Sequence, residues 1–244
     1  MKKTLVAAII MLSLSSCFTY EYLRVDSPVM TTNNVKDLVW ENDTVRLTYS
    51  FHGKNGPMKL CIYNKTGKPL FIDWKRSALI RDQQSVSLFD SRMDWSGNAA
   101  GVSFAVGNQV NYHKGVYTGT TNLPEGAEMI APQAYINKDL FPVYDGLQVF
   151  DSLVAASPAA ETNKIQSGSI YMKYTSVAYP DAKSPVKFST YLTFVLGSVN
   201  EGKGEFSLTH AFYVSGIMRS AVGPGDFSLY GNDGNQFYVR ERSN

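Results

Sequence analysis

The chain has 244 residues, 44% of them hydrophobic and 13% aromatic, and it carries 23 Lys and Arg against 21 Asp and Glu. A chain of this length can bury a core of its own without disulfides or metals. The balance of charge, with no run of Lys or Arg, excludes the basic surface that binding to nucleic acid requires.

The first 16 residues have the three-part pattern of a bacterial secretion signal. Two lysines form a positive start, and the apolar run at 5–12 is too short to span a membrane as a helix, which takes about 20 residues. Residues 14–17, LSSC, resemble the lipobox of bacterial lipoproteins, in which the cysteine thiol is acylated and becomes the new N-terminus. We therefore predict that 1–16 is removed and that Cys17 is lipidated; a plain secretory signal is the alternative.

Lipidation would place the protein in the bacterial cell envelope, because several acyl chains give stable membrane attachment. Phe18 rather than Asp follows Cys17, so a common inner-membrane retention signal is absent. This absence favours the outer membrane, and both its periplasmic face and its cell-surface face stay possible. Loss of the two leader lysines leaves 21 basic and 21 acidic residues, so the net charge of the mature chain is zero and does not indicate any particular partner. Residues 17–36, polar and turn-rich after their first aromatics, are predicted to be the lipidated tether.

Period-2 alternation begins at residue 45. Apolar residues alternate with polar ones over 45–51 and again over 58–62, which indicates strands with one buried face. Turn-forming residues at 64–69 precede a third alternation at 70–74, and we predict a hairpin there. Cys61 is predicted to be a buried small hydrophobe without a disulfide partner, because nothing nearby would stabilise its thiolate.

The segment 90–127 is rich in Gly and Asn and shows little alternation, so we predict a long loop-rich insertion. Loops of such length in compact domains are often functional. This one carries Trp95, Tyr112, His113 and Tyr117, and aromatic side chains offer a large contact area at low entropic cost. These four are the candidate ligand-binding residues.

The remaining chain again predicts strands separated by turns. Only 146–160 could form a short helix, which Pro158 would end. The pattern predicts an all-β fold, an immunoglobulin-like β-sandwich of antiparallel strands with a loop-rich insertion and little helix. The globular region is 37–244, with an alternative division into a sandwich at 37–142 and a second β unit packed on it at 143–244. The predicted strands are 169–177, 186–196, 206–214, 227–230 and 237–239, with turns at 200–204 and 232–235.

Three segments resemble a set of uncharacterised bacterial lipoproteins. They are residues 41–45, the NK…PL-IDW pattern within 62–77, and FYVS at 212–215. The resemblance covers the N-terminal strands and one C-terminal strand. It implies an extracytoplasmic β-sandwich and brings no activity and no catalytic residues.

No pattern in the sequence indicates a catalytic or metal centre. A nucleophile elbow is absent, and no His or Cys pair has the spacing of metal ligands, so we predict no metal and no cofactor. His210 shares the phase of its apolar neighbours, which favours a core position. Asp73 and Asp94 each precede a tryptophan, which would suit a site beside a sugar ring, but Trp74 also continues the buried face of its strand.

Three functions follow, in order of preference. The first is a non-catalytic, membrane-anchored β-sandwich that binds a glycan, a protein or another envelope component. The second is a structural or accessory subunit of an envelope or fimbrial assembly that uses strand addition at a sheet edge. The third is a hydrolase acting on polysaccharide, which would need two carboxylates that meet only in the fold.

The lipobox generates a direct prediction. Cys17→Ser removes the thiol that carries the acyl group, so the variant is expected to lose all labelling by a fatty-acid probe and to be unprocessed or soluble. Cys61→Ser is the matched control and should label like the wild type. Continued labelling of Cys17→Ser would contradict the lipobox interpretation.

Overall fold

The computed structural model describes residues 18–89, 94–106, 110–122, 126–144, 159–167, 170–197 and 204–242. Within them the chain forms seventeen β-strands and one short 3-10 helix, which confirms the all-β prediction. No helix in these ranges is long and apolar enough to cross a membrane. The strands are β1 Phe18–Asp26, β2 Thr31–Thr32, β3 Leu38–Glu41, β4 Val45–Ser50, β5 Gly53–Lys54, β6 Pro57–Asn64, β7 Leu70–Arg81, β8 Gln84–Ser87, β9 Asp94–Val106, β10 Val110–Asn122, β11 Ala127–Ile130, β12 Tyr135–Pro142, β13 Glu161–Ser167, β14 Ile170–Ala178, β15 Lys187–Leu196, β16 Glu205–Ser220 and β17 Gln236–Arg242, and the 3-10 helix is Asp181–Lys183.

Two sheets pack face to face. The large sheet has ten strands, with the path β11-β7-β15-β16-β1-β17-β5 and with β8, β13 and β14 joined at its sides. The small sheet has five strands in the order β12-β6-β4-β3-β2. The strands β9 and β10 form a third, two-stranded hairpin sheet. Pairing is antiparallel across the described strands except between β5 and β17.

The core lies between the large and small sheets because their facing positions are apolar. On β4, Leu47 and Tyr49 are buried while the positions between them are more exposed, and β6 repeats this alternation. Phe51 meets Phe188 and Phe212 of the large sheet at ring distances of 5.7 and 5.5 Å. Burial of each such side chain stabilises the fold by about 1.5–3 kcal/mol. The alternation predicted at 45–51 and 58–62 is confirmed.

The start of the predicted tether is a strand in the middle of the large sheet. β1 pairs with β16 on one side and with β17 on the other. Leu23 and Val25 enter the sandwich core, and Tyr22 is buried on the opposite face. The apolar residues change face between Tyr22 and Leu23, so the segment lacks the single continuous alternation that marks a half-exposed strand. The structure therefore contradicts the tether prediction for Phe18–Asp26.

A second apolar cluster covers the other face of the large sheet. Tyr22 stacks on Phe227 at 4.3 Å and lies 5.2 Å from the Tyr230 ring. The Tyr22 hydroxyl donates to the Val222 carbonyl at 2.6 Å. The segment 227–230, predicted to be a strand, is instead a turn that lays these rings on β1. We call this set the aromatic cluster; its buried members are Tyr22, Ile165, Val222, Phe227 and Tyr230.

The hairpin predicted over 58–74 is a crossing between the sheets. β6 belongs to the small sheet and β7 to the large sheet. Buried Asn64 holds the turn, because its Nδ2 donates to the carbonyls of Lys68 at 2.7 Å and Ile130 at 3.1 Å. The turn itself is confirmed, but turn residues do not determine which sheet receives the following strand.

The insertion predicted to be loop-rich contains a long hairpin. β9 and β10 pair from Val106 opposite Val110 to Asp94 opposite Asn122, a length of about 43 Å. The strands on either side of it, β8 and β11, both pair with β7, so the hairpin leaves from that edge of the large sheet. Many Gly, Ala and Thr residues leave the segment without apolar alternation, which explains why the sequence did not indicate strands.

The alternative division at residue 142 does not follow the strand pairing. β7, from the first segment, pairs with β15, from the second, between Arg81 opposite Phe188 and Leu70 opposite Leu196. The large sheet therefore draws strands from both segments.

Gly234 ties the chain before β17 to the turn before β3. Its carbonyl accepts from the Phe51 N–H at 2.6 Å, and its N–H donates to the Val35 carbonyl at 2.7 Å. A Cβ at this position would overlap the Asp37 carboxylate and lie 3.0 Å from the Asp37 Cα. The space beside Gly234 is therefore closed to any side chain.

Gly234→Ala is expected to lower the free energy of unfolding by about 1–3 kcal/mol, the usual cost of overpacking. Chemical denaturation would measure the loss. Gly231→Ala is the matched control, because no atom lies within 4 Å of a Cβ built at that position. Equal stabilities for the two variants would contradict the packing described for Gly234.

Candidate functional site

The predicted ligand-binding residues lie on the hairpin sheet. Trp95 is on β9, and Tyr112, His113 and Tyr117 are on β10, at positions spread along the paired strands. The structure describes the backbone of these strands and not their side chains, so a role in ligand binding stays a prediction. Cys17 lies outside the described residues, and its lipidation also stays a prediction.

A buried polar group connects the two sheets at His210. The Tyr49 hydroxyl lies 3.0 Å from Thr190 Oγ1 and 3.2 Å from His210 Nδ1, and Trp40 packs on the imidazole at 4.8 Å. All three polar residues are buried. Desolvation lowers the pKa of His210 to about 4, so the ring is neutral at pH 7. The predicted core position of His210 is confirmed, and its burial gives it a structural role.

The Asp73–Trp74 pair also serves the fold. Trp74 is buried, as predicted, and its Nε1 donates to Glu128 Oε2 at 2.9 Å. Asp73 accepts a hydrogen bond from Arg76 Nε at 2.8 Å. The Trp74 contact joins β7 to β11 and the Asp73 contact lies within β7, so both side chains stabilise the fold. The side chain of Asp94 lies outside the described residues.

The outer face of the small sheet carries the candidate site. Its side chains occupy the positions that alternate with the less exposed ones on β3, β4, β6 and β12. Because the strands are in register, these positions form rows across the sheet. We call this surface the polar face. Its first row is Tyr135, Tyr63, Arg46 and Glu41, its second is Asn137, Cys61, Thr48 and Val39, and its third is Asp139, Lys59 and Ser50.

Contacts between neighbouring strands hold the first row in place. Arg46 Nε donates to Glu41 Oε2 at 2.8 Å, and the guanidinium carbon lies 5.8 Å from the Tyr63 ring centroid. The hydrogen bond from Arg46 lowers the pKa of Glu41 below its usual range. The Tyr63 hydroxyl donates to Gln133 Oε1 at 3.0 Å. Tyr135 ends the row with 63% of its surface exposed, which makes its ring accessible to a ligand.

Two open grooves cross the polar face and share Thr48: the smaller lies over the second and third rows, and the larger over the first and second. The smaller has a volume of about 330 Å³ and the larger about 640 Å³. The smaller groove is lined by Asp37, Thr48, Ser50, Lys59, Leu60, Cys61, Asn137, Lys138 and Asp139, and the larger by Val29, Thr31, Asn33, Val39, Trp40, Glu41, Arg46 and Thr48.

Both signs of charge line these grooves. Lys59, Lys138 and Arg46 are balanced by Asp37, Asp139 and Glu41. A surface without a dominant sign does not favour phosphate or a polycation. It offers hydrogen-bond donors and acceptors side by side, which suits an uncharged polar ligand.

No activated nucleophile is among the residues that line the two grooves. Cys61 was predicted to be buried but is half-buried on the polar face, with a free thiol whose pKa is raised by desolvation. The thiol is therefore protonated at neutral pH. Across the described part of the chain, no three His, Cys, Asp or Glu side chains come together as metal ligands.

One strand of the polar face has a sequence signal that the predictions passed over. β12 alternates exposed Tyr135, Asn137 and Asp139 with the less exposed Ile136 and Leu140. This period-2 pattern indicates a strand. The grouping of β12 with β6 is a tertiary pairing that the pattern does not contain.

No protein-family model, no curated protein and no solved structure matches the chain. The resemblance to uncharacterised lipoproteins therefore stays a prediction. The function is accordingly inferred from the polar face.

The buried His210 makes stability depend on pH. Its pKa is about 4 in the folded protein, whereas an unfolded histidine has a pKa of about 6.5, so protons favour the unfolded chain as the pH falls through this window. This effect alone is expected to remove about 3 kcal/mol between pH 7 and pH 4. His210→Asn should lack that loss in denaturation curves recorded across the range.

Tyr49→Phe provides the control for this measurement. It removes the hydroxyl beside Nδ1 but keeps the titrating ring, so it should lower stability at every pH and retain the wild-type slope below pH 6.5. Identical pH slopes for wild type and His210→Asn would show that His210 does not titrate in this window.

Proposed function

We propose that the protein is a lipid-anchored, non-catalytic binding protein of the bacterial cell envelope, and that its polar face recognises a glycan. The proposal rests on one observation. The accessible ring of Tyr135 lies beside grooves that are lined by hydrogen-bond donors and acceptors and by side chains of both charges. Attachment through Cys17 to the outer membrane is part of the proposal. Within the all-β class, we propose the immunoglobulin-like type of sandwich.

The chemistry of a sugar matches the polar face. A sugar ring has an apolar side that can pack on an aromatic ring such as that of Tyr135. Its hydroxyl groups both donate and accept, so they can pair with Asn137, Asp139 and Lys59. These residues lie on adjacent strands, and the open grooves allow a chain of sugars to lie across the rows. A glycan chain is therefore the ligand class that this surface fits best.

The edge of β16 supports a second candidate, strand addition within an envelope assembly. β1 pairs with β16 only from Tyr213 to Ser220, so no described strand occupies that side of β16 between Glu205 and Phe212. Phe206 is only partly buried on this stretch. An extended segment of another protein could pair with the open main-chain groups.

A glycan array probed with the full chain carrying Cys17→Ser would test the first proposal. Residues 18–36 must be kept, because β1 is part of the large sheet. Tyr135→Ala and Asn137→Ala should each weaken glycan binding by about five- to tenfold, since each removes one stacking or hydrogen-bonding group.

Matched substitutions elsewhere act as controls. Tyr191→Ala and Asn232→Ala change the same residue types at exposed positions outside the polar face and should leave binding unchanged. Equal losses from both pairs of variants, or no glycan bound at all, would contradict the proposal. Recovery of one envelope protein whose binding is lost on Phe206→Asp would favour strand addition instead.

A further inference from the structure

We infer that the Phe18 end of the large sheet rests on the membrane surface, against the phosphate headgroups of the bilayer. The inference rests on the proposed lipid anchor and adds an orientation to it. It follows from where β1 begins, from the strand register and from the charges at that end of the sheet.

The anchor leaves no spacer before the folded sheet. β1 begins at Phe18, the residue bonded to Cys17, and two successive Cα atoms are 3.8 Å apart. Acyl chains on Cys17 would enter the bilayer from that point. The end of β1 must therefore lie within a few ångströms of the headgroups, and the strands beside it are held there as well.

The register identifies those neighbouring strands. Tyr20 is opposite Ser220 of β16, which is opposite Tyr174 of β14. Counting two residues towards the chain start brings Phe18 level with Met172, which is paired with Ile165. The β13–β14 hairpin continues two pairs beyond that level, so its last described pair, Ser167 with Ile170, lies about 7 Å further towards the bilayer than Phe18.

The charges on this hairpin fit a phosphate layer. Lys164 and Lys173 are direct cross-strand partners, and both side chains are exposed. Like charges directly opposite each other repel and destabilise a hairpin. Anionic headgroups would offset this repulsion. On the other side of β1, Arg240 lies over the Phe18 ring at 3.4 Å and adds a third cation.

An exposed aromatic residue lies at the same level. Tyr171 is 69% exposed on the β13–β14 hairpin, on the strand position next but one to Lys173. Tyrosine is enriched where proteins meet the interface between membrane and water, because its ring is apolar and its hydroxyl is polar. Two lysines and an accessible tyrosine on one face of the hairpin at the anchored end therefore point to a lipid surface as the occupant.

The polar face is held away from this surface. His210, which contacts Tyr49 of the small sheet, is ten residues from Ser220 along β16, a distance of about 33 Å. The turn that contains Lys68 is further still, because Leu70 pairs with Leu196 at the far end of β15. Lys68 therefore serves as a reference position remote from the bilayer.

Site-specific fluorescence on the lipidated full chain would test the orientation. In a Cys61→Ser background, Tyr171→Cys or Lys68→Cys supplies a single reactive thiol for an environment-sensitive dye. The protein is reconstituted in vesicles of equimolar phosphatidylcholine and phosphatidylglycerol that contain a headgroup nitroxide quencher. Quenching should be several-fold stronger at position 171 than at position 68. Equal quenching, or stronger quenching at 68, would overturn the orientation.

Charge variants and mass analysis complete the experiment. Lys164→Gln combined with Lys173→Gln should lower quenching at 171, since each basic residue near an anionic surface contributes to attachment. Lys54→Gln with Lys183→Gln, at exposed positions elsewhere, should not. An unchanged signal in the first pair would show that these lysines do not face the headgroups.

Mass analysis of the N-terminal peptide separates the two proposals. An unmodified Cys17 would overturn the anchor and the orientation together, whereas a lipidated Cys17 with equal quenching would overturn only the orientation.

Discussion

The pairing of β16 is the constraint on which the rest of the molecule depends. This sixteen-residue strand pairs with β15 over its first part, and with β1 and β14 over its second. The small sheet packs over the first part and the aromatic cluster over the second. A single run of main-chain hydrogen bonds therefore sets the distance between the two parts. A loop would fix this distance less well, because a strand keeps the same rise per residue over its whole length.

The polar face depends on the core directly beneath it. Tyr49 lies between Thr48 and Ser50 on β4, so the residue that bonds Thr190 and His210 in the core is flanked by two that line the grooves. A fully buried polar contact specifies one geometry, because any displacement leaves a desolvated group without its bond. The rows above are consequently held in register by interactions on the opposite face of the same strands.

The two proposals describe one arrangement. If the Phe18 end rests on the bilayer, β16 extends away from the membrane and holds the small sheet at its far end. The polar face is then exposed to the solvent outside the bilayer. No flexible tether is needed to hold the polar face away from the membrane, since the large sheet itself acts as the spacer. The covered faces of β1 make that spacer stiff, because the strand is held by pairing on both edges and by packing on both sides.

The sequence by itself determined the all-β class, the alternation of β4 and β6, the turn at 64–69 and the core positions of His210 and Trp74. Each of these follows from local periodicity or local turn chemistry. It did not reveal β1, whose apolar residues change face between Tyr22 and Leu23, or β9 and β10, whose small residues carry no alternation. Only the tertiary structure decided that β6 and β7 belong to different sheets, and that Tyr135, Tyr63 and Arg46 share a row. Strand partners are distant in sequence, and period-2 alternation identifies the face of a strand but not its neighbour.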